Sequence, residues 1–97
     1  MDKAERRKLR FPPDSGTIAW IDPVERPGPD GFMPRIPALV IDESRDGCGV
    51  TILYHPLVTE GARLMIQVGE LLPVPCEVRW IKDLDEDVLK VGLRYLT

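Results

Sequence analysis

Apolar and polar residues alternate along much of this chain with the period of two that a strand buried on one face requires. The run Arg63–Val68 sets Leu64, Ile66 and Val68 against Arg63, Met65 and Gln67. Val74–Lys82 sets Val74, Cys76, Val78 and Trp80 against Glu77 and Arg79, and Val88–Leu96 sets Leu89, Val91, Leu93 and Tyr95 against Lys90 and Arg94. Three earlier runs, Thr17–Asp22, Ile36–Asp42 and Cys48–Tyr54, are rich in residues that favour strand. Ile36–Asp42 is nearly all apolar, as for a strand covered on both sides, and Pro37 suits only its beginning or a sheet edge.

Ten prolines and eight glycines interrupt the sequence, so few stretches reach helical length. Leu57–Val68 is the one rival segment for a helix, and Pro56, Gly61 and Gly69 favour the strand reading there too. Glu43–Gly47 and Asp83–Asp87 read as polar turns, and Pro23–Pro34 as a long loop. Six short strands without a convincing helix predict an all-β barrel or sandwich.

At 97 residues the chain is the size of one small domain, and its 43% hydrophobic content suffices for one core. No apolar run approaches the roughly 18 residues of a membrane span. The charged stretch Asp2–Arg10 has no apolar segment behind it, unlike a secretory signal, so the expected location is the cytoplasm. Cys48 and Cys76 lie far apart in strand-like runs and read as reduced core thiols. Residues 1–10 carry five cations and two carboxylates, whereas the rest of the chain carries eight cations and fourteen carboxylates. That acidic body would repel long nucleic acid, while the basic end can hold one small anion.

Catalytic chemistry is sparse. His55 is the single histidine, with no second histidine or nearby thiol to complete a metal or nucleophile site. Asp83, Asp85, Glu86 and Asp87 lack the spacing of a calcium loop. The chain therefore reads as a binding protein without a cofactor, not an enzyme. Two segments carry recognition chemistry instead. Arg6 and Arg10 form an RxxxR pair, whose guanidinium groups can bond phosphate oxygens and stack on bases. Asp42-Glu43-Ser44-Arg45-Asp46-Gly47 forms a DxSxxG turn between two expected strands. Its carboxylate can accept two N–H bonds from a guanine edge and its serine can add another, and Gly47 permits a positive φ. An ordinary serine turn is the plain alternative for that segment.

RxxxR, a strand, and DxSxxG after the second strand, in that order, resemble the PilZ family of cyclic di-GMP receptors. Pro12 and Pro13, Glu77-Val78-Arg79-Trp80 and Val91–Leu96 agree with it, so the resemblance covers essentially the whole chain as a stand-alone member. It implies a six-stranded antiparallel β-barrel over residues 16–97, with residues 1–15 as a basic segment that clamps the ligand. Arg6 and Arg10 would grip phosphates and stack on guanine, assisted by Arg7. Asp42 and Ser44 would contact a guanine edge, with Gly47 as the turn glycine. Arg94, on the outer face by alternation, is a further candidate. Trp80 is another, although its phase with Val78 and Cys76 favours the core. The implied partners are cyclic di-GMP and a downstream protein that receives the signal. Two alternatives stand beside this reading. One is a PilZ-fold adaptor that binds protein and no nucleotide. The other is a small oligonucleotide-binding barrel, disfavoured by the acidic body and by the core phase of Trp80 and Tyr95.

Overall fold

A computed structural model of the chain describes residues 17–25 and 31–96. Six strands form: β1 (Ile18–Asp22), β2 (Ile36–Glu43), β3 (Gly47–Leu53), β4 (Arg63–Val68), β5 (Val74–Asp85) and β6 (Val88–Tyr95). All neighbours are antiparallel, and the sheet closes as β1-β2-β3-β6-β5-β4. The all-β expectation is thus met by a closed six-stranded antiparallel barrel, which leaves no open sheet edge. Among the described residues no helix is long and apolar enough to cross a membrane.

Alternation explains the core. Ala19 and Ile21, Ile36, Ala38 and Val40, Val50 and Ile52, Leu64 and Ile66, Cys76 and Val78, and Leu89, Val91 and Leu93 all point inward and are buried. Full burial of a side chain such as Leu64 or Ile66 contributes about 1.5–3 kcal/mol. Both cysteines are free and buried.

The segment Leu57–Val68 holds no helix, as Pro56, Gly61 and Gly69 favour; β4 starts at Arg63, after turns around Pro56 and Glu60. Other local expectations are corrected. β2 is covered on one face only, because Pro37 and Leu39 are exposed while Ile36, Ala38 and Val40 are buried. β5 runs on to Asp85, which leaves only Glu86 and Asp87 in the acidic turn.

Met65, expected to face solvent, is buried but lies outside the core cluster. It is the Cα partner of Asp22, itself fully buried on the outer side of β1. The Asp22 carboxylate accepts hydrogen bonds from Val24 N (3.1 Å) and Met33 N (2.9 Å), so the chain leaving β1 folds back onto this end of the sheet. Glu25 adds an ion pair with Arg63 of β4 at 3.2 Å. This connection joins the ends of β1 and β2 remote from the DxSxxG turn.

Candidate ligand-binding groove

One register row on the outer face runs Asp42, Gly49, Gly92, Trp80 across β2, β3, β6 and β5. The two central positions carry no side chain, and the Asp42 carboxylate and the Trp80 indole lean over them from either side, so both glycines are buried. Both walls approach closely. A Cβ on Gly49 would stand 3.1 Å from Asp42 Oδ1, and one on Gly92 would collide with Cε2 and Nε1 of Trp80. The result is an open groove of about 250 Å³, lined also by Ser44, Gly47, Arg79 and Arg94.

Two β-bulges deliver the walls. By alternation from Ile36, Ala38 and Val40, Asp42 would point into the barrel. A register shift between Val40 and Asp42 turns it outward over Gly49. By the same logic Trp80 would follow Cys76 and Val78 inward, as expected from the sequence. A second shift, with Val78 opposite Leu93 and Trp80 opposite Gly92, leaves Arg79 unpaired and moves the indole to the outside. Trp80 is therefore not a core residue; it is 38% exposed, with Lys82 Nζ 5.6 Å from its ring centroid. Bulges commonly re-aim side chains beside functional sites in this way.

The turn brings in Ser44. Its amide donates to the Gly47 carbonyl at 2.9 Å, its hydroxyl donates to the same oxygen at 3.4 Å, and it accepts from Asp46 N at 3.3 Å. The plain serine turn is thus present, and the hydroxyl oxygen keeps one acceptor position. Gly47 is needed for a reason other than the one expected. It has no positive φ; a Cβ there would collide with the Leu93 carbonyl of β6, its neighbour across the ladder. Asp42 makes no hydrogen bond or ion pair among the described residues, so its carboxylate is available to a ligand. Arg94 projects outward, as alternation requires, and its Nη2 lies 3.8 Å from Glu77 Oε1.

Just inside this row, the Cys48 thiol is pushed up to about 11 by burial, partly offset by a hydrogen bond with Tyr95. Burial likewise pushes Cys76 up to about 12, and it raises Tyr95 as well. Thiols held neutral in this way are poor nucleophiles. His55 accepts a hydrogen bond at Nδ1 from Leu57 N (3.1 Å), which closes a local turn. Among the described residues no three potential ligands cluster to hold a metal.

The fold therefore gathers Asp42, Ser44, Gly47, Arg94 and Trp80 on one groove. Arg6, Arg7 and Arg10 lie outside the described residues. Sequence reasoning missed Arg79, Gly49 and Gly92. A lone glycine inside an otherwise β-branched run was the available signal, because it marks a bulge or a close approach. Compared with known proteins, the chain matches no family model, no curated protein and no solved structure.

Proposed function

We propose that this chain is a PilZ-type cytoplasmic receptor domain that binds cyclic di-GMP and passes the signal to a partner protein. The observation that carries the reading is the row Asp42, Gly49, Gly92, Trp80, in which two glycines seat an aromatic face beside a carboxylate that has no partner among the described residues. A purine suits such a row because its flat ring needs a stacking partner and an edge acceptor. Asp42 accepts two N–H bonds from a guanine edge, Ser44 adds one, and Trp80 stacks. Arg79 and Arg94 face the phosphates, and the RxxxR pair, Arg6 and Arg10, closes over them with Arg7. The groove at about 250 Å³ encloses only part of a dinucleotide, which is consistent with a clamp contributed from elsewhere in the chain.

The outward position of Trp80 weakens one of the two arguments against an oligonucleotide-binding barrel, although Tyr95 still packs against the core. The acidic body remains as the other, and Asp42 and Asp46 beside the groove add to it. A non-binding adaptor is the second reading, favoured by the exposed, uncharged side chains of Ile18, Trp20 and Leu39 on the β1–β2 part of the barrel surface.

Calorimetry with cyclic di-GMP separates these readings, and cyclic di-AMP serves as the control. Adenine lacks the two donors that Asp42 would read, so discrimination on the order of a hundredfold or more is expected. Equal affinity for both dinucleotides would reduce the binding to electrostatics, and no heat with either would favour the adaptor.

A further inference from the structure

Beyond the groove, the next row of outward residues runs Gly47, Arg94, Glu77, Arg63 across β3, β6, β5 and β4. Glu77 therefore stands between two arginines, Cα partner of each on either side. Directly opposed side chains of an antiparallel pair have Cβ atoms about 4.5–5.5 Å apart, within easy reach of a carboxylate and a guanidinium. In this structure Glu77 leans to Arg94, at 3.8 Å, while Arg63 is taken by Glu25 through Nε at 3.2 Å. The charges thus alternate in one line, Glu25, Arg63, Glu77, Arg94, from the connection after β1 to the wall of the groove.

We propose that Glu77 is a counter-ion that changes hands: it holds Arg94 while the groove is empty, and turns to Arg63 when an anion takes Arg94. The proposal deepens the nucleotide reading by naming how occupancy of the groove is felt elsewhere. A single contact at 3.8 Å between half-exposed groups is a weak hold, and a phosphate offers the guanidinium a shorter, paired geometry. Once Arg94 leaves, Glu77 faces Arg63 directly across the β4–β5 ladder. Arg63 is then shared between Glu77 and Glu25, and the tie on Glu25 loosens. The state of the groove is read out at Val24 and Glu25, beside the buried Asp22 that anchors this connection. Exposed pairs of this kind shift equilibria by about 1.4- to fivefold, so the response is graded rather than all-or-none.

The test follows the Nε–Hε signals of Arg63 and Arg94 and the amides of Val24 and Glu25 by NMR in the full chain. Its first arm needs no nucleotide: Arg94→Gln removes the partner that the phosphate would remove. Arg63, Val24 and Glu25 signals should move in that variant, and should stay in place when the same change is made in a Glu77→Gln background. If Arg63 stays put in Arg94→Gln, or moves as much without Glu77, the exchange is overturned. In the second arm cyclic di-GMP is added to wild type and to Glu77→Gln. The expected result is movement of Arg94 in both, movement of Arg63 in wild type alone, and up to about fivefold tighter binding in Glu77→Gln. A chain that passes the first arm and shows no response to cyclic di-GMP keeps the exchange and loses the nucleotide reading.

Discussion

The barrel carries two tryptophans on its outside, each 38% exposed, and they stand in different surroundings. Trp20 on β1 faces Pro37 on one neighbouring strand and Gln67 on the other, near Ile18 and Leu39, with no glycine among these neighbours. Trp80 on β5 faces Gly92, with Lys82 against its ring and Asp42 across two glycines. Exposure does not distinguish the two rings. The difference lies in what is missing beside them: next to Trp80 the sheet has given up two side chains, and the ring and the Asp42 carboxylate settle over the two glycines at the wall of a groove. Next to Trp20 the neighbours fill their positions, and the ring only covers sheet. A surface aromatic becomes a binding element when it is seated on glycine beside a groove and its rim is polar.

Glycine substitutions break this comparison most severely. Gly47→Ala sets a Cβ against the Leu93 carbonyl, which cannot move without parting β3 from β6. A loss of about 3 kcal/mol in urea unfolding is expected. Gly92→Ala meets only the side chain of Trp80, whose ring can swing outward. It should cost about 1–2 kcal/mol of stability, yet displace the indole and reduce cyclic di-GMP affinity more than about tenfold. If Gly92→Ala binds as wild type does, the row is not where the ligand lies.

Asp42→Ala and Trp80→Ala sharpen the comparison at constant fold. Loss of the carboxylate should weaken binding by about 1.5–3 kcal/mol, and loss of the indole by about 1–3 kcal/mol, with little change in thermal midpoint. Trp20→Ala should leave calorimetric affinity unchanged. By the same range for charge-assisted bonds, Arg6→Ala and Arg10→Ala should each weaken binding by about 1.5–3 kcal/mol.

The smallest expected effect comes from the thiols behind the row. Their folded values, about 11 for Cys48 and about 12 for Cys76, lie above the ordinary value of 9.0. Folding therefore favours the protonated form, and the associated stability is complete below pH 9 and is lost as the pH rises towards 11 and 12. By about pH 10 each thiol should cost about 1 kcal/mol relative to pH 8. Urea midpoints across this range should fall less steeply in Cys76→Ala than in wild type.

The period-two pattern was enough to place six strands and their inward faces, because burial on one side is what that pattern encodes. It misplaced side chains wherever a bulge intervened. Trp80 is in phase with Cys76 and Val78 along the sequence, and only the extra residue at Arg79 moves it outside. Met65 alternates outward correctly, yet its burial depends on a connection held by Asp22, a tertiary contact that no local pattern records. The DxSxxG turn was legible as chemistry, but the partners that complete a groove around it come from β5 and β6, more than thirty residues along the chain. Gly49 and Gly92 could have been found as lone glycines within strands; that they lie side by side follows only from the register of β3 on β6.

The most direct test uses the two tryptophans as reporters. Trp20→Phe leaves Trp80 as the sole indole, and Trp80→Phe leaves Trp20, because the chain holds two in all. Each variant is titrated with cyclic di-GMP while tryptophan fluorescence is followed. A base stacked on Trp80 should change the emission of Trp20→Phe in saturable fashion, with the same midpoint as calorimetry, and leave that of Trp80→Phe flat. Equal responses from both rings, or calorimetric binding without any change at Trp80, would contradict the assignment of the groove as the nucleotide site.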